Sequence, residues 1–596
     1  MKKIVIYIIT ALFILGNNSC NDFLGKEVDL TLDEEQVFGS YENTRGFLAN
    51  IYTYLPDAFR GYTDGQYLAA SRDAMTNNAL SYWNVHRYHA VLTDGYSAVD
   101  HWFALDYWPR YFRGIRAANQ FLKNARPSVI GNTDKPGDDN RLYDRNIAEA
   151  RLLRAILHFD MLCWFGDIPI VGDDDNGEPI IFDPGNTENM NMERTKSADA
   201  LKWIAEECDA VKNNLPFRYG NEAENWGRVN GATAYALKSR ALLYRASPLH
   251  NPDNNSAYWQ EAADAATDFI AENEKQSQAN HYRLYTTTDN DVNRNYYECF
   301  IVTPYYNNEY ILTRSVWNTR EIELFLAPAG FSGAVVSVGR TNPTQNLVDS
   351  YETKDGLPID HPSSGYDPQN PYNNRDPRLA QTILHHGSIW GDPIEEEERA
   401  IDVSYPDGID YQPRLHGGTL TGYYTKKFLN NMSFKNPTNY DHACPIFRYA
   451  EILLNAAEAI NETSGPDQAY QYVNQVRDRV GMPPYSAMSR EELRERIRNE
   501  RRIELCFEDH WFFDERRWKL FEGKTLDNEK TLPIYQQALN IYGMRVTPDE
   551  ATVYEVVPAQ MHPSRMFANP KNYFFPIPND DTKKSPKLGQ NPGWEL

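Results

Sequence analysis

A mainly α fold, in which stacked helix pairs form a scaffold interrupted by one long irregular insertion, is predicted by three observations. Apolar residues recur with the 3.6-residue period of a helix in several stretches before residue 280 and again after 442. Between them, 280–441 is rich in Pro, Gly, Asn and Tyr with weak periodicity, which reads as loops and short strands. The chain of 596 residues is 41% hydrophobic and 24% charged, a globular composition that suits several ordinary domains or one large domain with insertions.

The helical stretches follow in order. Residues 100–126 present Trp102, Leu105, Trp108, Phe112, Ile115 and Phe121 as a broad apolar face, and Pro127 ends the run. In 144–165 only Arg151, Arg154 and His158 mark a polar edge, so this helix must be covered on more than one side; Gly166 and Pro169 close it. Residues 197–214 are amphipathic. The stretch 231–247 is alanine-rich enough for close helix approach, Pro248 stops it, and 258–272 supplies an antiparallel partner. Ile446, Tyr449, Ile452, Leu453, Ala456, Ala457 and Ile460 form a regular stripe; Gly465-Pro466 turns the chain and 467–479 runs back. This helix–turn–helix has the size of a tetratricopeptide unit, about 34 residues, but lacks the strict consensus and is repeat-like only.

The stretch 491–518 organises the rest. Ser489 is an N-cap, with Glu491 and Glu492 in the first turn where the helix dipole favours acids. Ile503, Cys506, Phe507 and His510 define a core-facing stripe, while Glu500, Glu504 and Glu508 stack at i, i+4 and i+8. Like charges at that spacing repel, so cations must arrive from elsewhere, with Arg477, Arg479, Arg516 and Arg517 as candidates. Two readings compete: an acid/base pair of a glycosidase, or a partly buried ion-pair network that fixes helix packing, the commoner cause.

A net charge of −23 argues against nucleic acid and against anionic lipid as a surface partner. The six cysteines form no CxxC, which excludes a zinc ribbon or thioredoxin-type site; Cys163 and Cys506 read as small buried hydrophobes. His86 and His89, and the pair His385–His386, lack an HExxH or carboxylate companions. Glu395–Glu398 reads as a solvated loop, with structural calcium a weak alternative and no other cofactor expected. At the N-terminus, Lys2 and Lys3 precede an apolar run from Ile4 to Leu15, too short to span a bilayer core of about 30 Å. It reads as an export signal. Ser19 before Cys20 suits lipidation of Cys20, although Asn17 stands where such signals usually carry Leu.

Several ordered motifs resemble one family. R-x-E-R-R-I-E-L-x-F-E at Arg498–Glu508, with D-x-x-R-W at Asp514–Trp518, is similar to the signature of the SusD/RagB outer-membrane nutrient-binding lipoproteins. So are E-A-R-x-x-R-A at Glu149–Ala155, F-G-D-I-P at Phe165–Pro169, Ala234–Tyr244, Arg448–Ala459, Tyr470–Arg479, Asn373–Leu384, Gly422–Phe428, the C-x-D-F-L opening at Cys20–Leu24 and the Q-N-P-G-W ending at Gln590–Trp594. The resemblance implies a tetratricopeptide-like scaffold whose insertions carry ligand contacts. It also implies glycan capture at the outer cell surface, anchoring in outer-membrane lipid through acylated Cys20, and a role as lid of a SusC-like TonB-dependent transporter. Peptide or another nutrient on the same scaffold is the alternative, since a fold does not fix its ligand.

Flat aromatic rings suit pyranose faces, and two aromatic clusters are candidate contacts: Tyr82, Trp83, Asn84 and Tyr88, and then Tyr296, Tyr305, Tyr306 and Trp317. The expected division is 1–19 signal peptide, 20–45 lipidated N-terminus and tether, 46–279 helical scaffold with an N-terminal binding loop, 280–441 ligand-binding insertion, 442–525 helical scaffold, and 526–596 C-terminal loops and tail.

Overall fold

The structure, a computed structural model, describes residues 33–59, 71–82, 87–99, 102–131, 142–181, 191–220, 222–314, 317–411, 417–522, 539–549 and 551–595. Cys20 and the export signal lie outside them. The principal helices are α1 (Tyr41–Ile51), α2 (Trp102–Asn124), α3 (Leu142–Phe165), α4 (Ser197–Val211), α5 (Gly231–Ala246), α6 (Ser256–Glu274), α7 (Tyr449–Thr463), α8 (Pro466–Asp478), α9 (Arg490–Glu504) and α10 (Trp511–Arg517). From α2 to α8 each packs on the next, and α9 packs on α7. The fold is mainly α, as the periodicity predicts.

Local chemistry sets the helix starts. Asn230 accepts the Thr233 N–H and Ser489 accepts the Glu492 N–H, each in a reciprocal capping box that satisfies otherwise orphaned donors. Gly465 turns at φ 91° and Pro466 opens α8, where its missing N–H costs nothing. Helix α3 is buried from Leu152 through Phe165, and its polar edge is satisfied inside. Arg154 Nη1 donates to Asn119 Oδ1 at 2.9 Å and to Asp173 at 2.7 Å, and Nη2 to Glu207 at 2.9 Å. The Val171 N–H donates to His158 Nε2 at 3.1 Å, and burial pushes that imidazole down to about 3, so it is neutral.

Although 275–448 separates them in sequence, α6 and α7 are packed neighbours. Strand 310–313 pairs antiparallel with 445–448, and 317–319 with 440–442. The early and late parts of the insertion are therefore zipped together immediately before α7, and the chain rejoins the stack where it left. The rest of the insertion consists of short helices and two-stranded pairings.

Three expectations change. Residues 33–45, expected as tether, are helical: Glu34–Phe38 is capped by Asp33, and Phe38, Leu48 and Ile51 enter the core. Residues 526–596 are not only loops, because Tyr542–Pro548 and Thr552–Pro558 form an antiparallel hairpin. Its second strand is mostly exposed on both faces, which erases the alternation a strand usually shows. The stretch 491–518 is two helices, since α9 ends at Glu504 and the chain turns through Phe507 and Asp509 at φ 63° and 64° before α10. The five described cysteines are buried and free.

Candidate ligand-binding cleft

The stacked carboxylates sit inside the molecule. Glu504 accepts from Arg448 Nη1 at 2.7 Å, Arg479 Nη2 at 2.5 Å and Arg378 Nη1 at 3.0 Å. Glu508, turned inward by the break after α9, accepts from Lys427 Nζ at 2.5 Å and Arg448 Nε at 2.7 Å; Glu500 pairs with Arg378 and Arg477. Arg477 and Arg479 are cations of the network as expected, whereas Arg517 pairs with Glu458 and Asp514 and Arg516 with Glu515. Arg378, Lys427 and Arg448 come from the insertion and its edge, and no spacing within 491–518 points to them. Burial alone would raise the Glu504 carboxyl, but Arg479, Arg448 and Arg378 outweigh it and hold it well below the carboxylate range. A glycosidase acid needs the opposite shift.

The candidate aromatics have separate fates. Tyr88 and Tyr296 are 0% exposed and leave no ring face for a sugar, a correction to their assignment as contacts. The Tyr296 hydroxyl donates to the Glu504 carbonyl at 2.7 Å and accepts from Lys427 at 2.8 Å, so it belongs to the buried network. Tyr82 is half-buried and packs against Leu80, Leu92, Leu420, Ile541 and Ala559. Trp83 and Asn84 lie outside the described residues. Trp317 opens the strand paired with 440–442, its ring outside the description. Tyr305 and Tyr306 are 37% and 76% exposed. Tyr305 meets Trp226 edge-on at 5.4 Å. Tyr82 thus packs on a small cluster separate from the main core that holds Tyr88 and Tyr296.

Trp226 lines an open cleft of about 970 Å³. Helix α1 supplies Tyr41 and Arg45, four residues apart and so on one helix face. The first turns of α3 supply Arg145, Asn146 and Glu149, the loop between α4 and α5 supplies Tyr219, Asn225, Trp226 and Arg228, and Arg314 enters from the insertion. The wall is internally braced. Arg228 donates to Glu149 from Nε and Nη2 at 2.9 and 2.7 Å, and from Nη2 to Asn146 at 3.3 Å. The Tyr52 hydroxyl donates to Glu149 at 2.5 Å; burial first, then the Glu149 charge, push its pKa well up, so it stays a donor. Arg314 bonds Asp57 and also lines an inner pocket of about 70 Å³ with Arg72, Asp160 and Asp509. The exposed ring of Tyr41 and the partly buried ring of Trp226, beside fixed guanidinium, amide and hydroxyl groups, match a polyhydroxylated ring, apolar on its faces and polar at its edge.

Sequence reasoning missed Tyr41, Tyr52 and Trp226. A Tyr and an Arg at i, i+4 (Tyr41, Arg45) and the N-W-G-R loop at Asn225–Arg228 were the available signals. Among the described residues no group of three or more metal-binding side chains converges, and Glu397 is occupied by the N–H groups of Phe434 and Lys435.

Comparison with known proteins decides the family. The model described as "SusD family" matches residues 266–594, more than half of the chain. The chain belongs to the SusD family. A second model, described as "Starch-binding associating with outer membrane", matches 22–243. A SusD-like protein of Formosa agariphila is 22% identical over 553 residues, covering 89% of this chain and 92% of its own. Among solved structures, a SusD-like protein of Bacteroides fragilis superposes with a TM-score of 0.72 at 23% identity, covering 94% of this chain and 98% of that one. A SusD-like carbohydrate-binding protein of the same species gives 0.65 at 24%, covering 93% and 99%. A laminarin-binding SusD-like protein gives 0.58 at 18%, covering 93% and 99%. These likenesses establish the SusD-like fold over nearly the whole chain. Among the described residues no helix is long and apolar enough to cross a membrane.

Proposed function

We propose that this SusD-family chain captures oligosaccharide or polysaccharide at the outer cell surface, without catalysis, and passes it to a SusC-like TonB-dependent transporter that it lids. The observation that carries the reading is the open cleft, where Tyr41 and Trp226 stand beside braced polar groups. Sugar stacking on such rings gives large contact area at little side-chain entropy cost. Tyr305, edge-on to Trp226, extends the aromatic rim from the insertion, and Tyr306, Trp317, Tyr82, Trp83 and Asn84 are proposed as further glycan contacts. The absence of turnover is supported by the fate of Glu504 and Glu508, each locked in ion pairs away from solvent. Acylated Cys20 tethers the folded part to the membrane.

Affinity electrophoresis of a soluble form lacking residues 1–20 against a polysaccharide panel tests this, with reducing ends assayed in parallel. One glycan is expected to retard the protein, no new reducing ends are expected, and Trp226→Ala is expected to weaken binding at least tenfold. Retardation undiminished by Trp226→Ala would remove the cleft from the reading, and released reducing ends would remove the non-catalytic role. Transporter delivery is checked by co-purification with the barrel, and anchoring by loss of membrane association in Cys20→Ser.

A further inference from the structure

The loop that carries Trp226 is pressed against the strand at 310–313. Gly227 turns at φ 73°, and a Cβ there would meet the carbonyl oxygens of Thr313 at 3.1 Å and Arg314 at 3.2 Å. So close an approach with a positive φ suits glycine. On its far side the loop is tied to the scaffold: Arg228 Nη2 donates to Glu149 at 2.7 Å, and the Val229 N–H donates to the Tyr52 hydroxyl at 3.2 Å. On the side of the strand, two polar atoms lack such ties. Trp226 Nε1 and Thr313 Oγ1 are both buried without a hydrogen-bond partner among the described residues. Thr313 is 2% exposed, and its strand is held by pairing with 445–448. Trp226 and Thr313 also line one small cavity of about 10 Å³, with Asn225, Asn230 and Tyr310 among its other walls.

An indole N–H only donates, whereas a threonine hydroxyl both donates and accepts. Burying either one unpaired is unfavourable. A single water needs a cavity of about 10–15 Å³ and at least two polar partners. An orphaned donor and an orphaned hydroxyl on the wall of a cavity of that size meet both conditions.

We propose that a buried water bridges Trp226 Nε1 and Thr313 Oγ1, and that through it Thr313 positions the Trp226 ring in the cleft. With its N–H engaged by the water, the indole meets a ligand through its carbon face and offers no hydrogen bond to a sugar hydroxyl. Stacking then depends on the angle of the ring, which Thr313 holds without touching the ligand. The water site stands on the geometry alone, and its effect on binding rests on the glycan reading above.

A crystal structure of the soluble form lacking residues 1–20, showing ordered water, tests the site directly. One water within about 3.2 Å of both atoms is expected. A dry cavity, or a direct bond between the two side chains, overturns the inference. Thr313→Val keeps the bulk and removes the hydroxyl, and Thr313→Ser restores it. The Trp226 ring is expected to turn in the Thr313→Val crystal and to keep its wild-type angle in Thr313→Ser; an unaltered ring in Thr313→Val overturns the positioning role. With the polysaccharide that retards the wild type, calorimetry is expected to give about fivefold weaker binding for Thr313→Val and wild-type binding for Thr313→Ser. In a Trp226→Phe background, which keeps a ring but has no N–H, Thr313→Val is expected to cost nothing further. Wild-type affinity in Thr313→Val, or the same loss in the Trp226→Phe background, likewise overturns the positioning role. If no polysaccharide is retarded, the glycan reading falls, and the water and the ring angle in the crystals still decide this inference.

Discussion

Replacing Glu504 by Gln is expected to destabilise the fold by about 3–5 kcal/mol, the usual cost of removing one partner from a buried ion network. The carboxylate is 0% exposed and receives Arg448, Arg479 and Arg378. The same guanidiniums also serve Glu309, Glu508, Asp376 and Glu500, and Glu504 is the one acceptor that all three share. Gln offers one acceptor where two were used, and its amide N–H groups face donors. The sign with pH follows. With its folded pKa depressed, Glu504 contributes stability that is present above the ordinary carboxylate range and is lost as pH falls through it toward the folded value. Urea unfolding at pH 7 and pH 4 measures both effects. The loss in Glu504→Gln should shrink toward low pH, and a loss below about 1 kcal/mol at pH 7 would mean a solvated, weakly coupled network.

The network also marks how far sequence carried the structure. Helices α2 to α8 were legible because their apolar stripes repeat every 3.6 residues, and α9 because Ser489 and Glu492 announce its start. What the stripe could not reveal is that φ angles of 63° and 64° at Phe507 and Asp509 end it and bring Glu508 round to Arg448 and Lys427. Neither residue is glycine, so no local signal marks the turn; tertiary partners hold it, such as Asp73, whose Oδ2 accepts the Phe507 N–H at 2.6 Å. The cleft was hidden for a related reason. Tyr41, Glu149, Trp226 and Arg314 come from four separated segments, and only the packing of α1 against α3 and the return of the insertion assemble them. Tyr296 illustrates the converse: an aromatic-rich loop attracts a binding assignment, yet burial and the Glu504 carbonyl claim this ring.

Asp73→Asn is expected to stabilise the protein at alkaline pH, opposite in sign to the loss in Glu504→Gln. Asp73 is 1% exposed, and among the described residues its Oδ1 has no hydrogen-bond partner. Burial raises its carboxyl most, the Phe507 N–H lowers it, the charge of Asp509 raises it further, and the outcome is a pKa of about 7. Asp509 is likewise raised by burial, to about 6, despite the guanidinium of Arg72 at 2.7 Å. Because both folded values exceed the ordinary one of about 3.9, the folded chain keeps protons that the unfolded chain releases. The resulting stability is fully present below about pH 4 and is lost as pH rises to about 7. An amide at position 73 keeps an acceptor for Phe507 and never ionises, so the variant escapes its share of that loss. A rise of about three pKa units corresponds to about 2–4 kcal/mol, read as the gain of the variant over wild type at pH 8 relative to pH 4. Urea midpoints across that range measure it. Parallel pH curves for the two proteins would show that Asp73 is ionised in the fold at neutral pH, and that the cluster of Asp73, Arg72 and Asp509 is paired rather than proton-bearing.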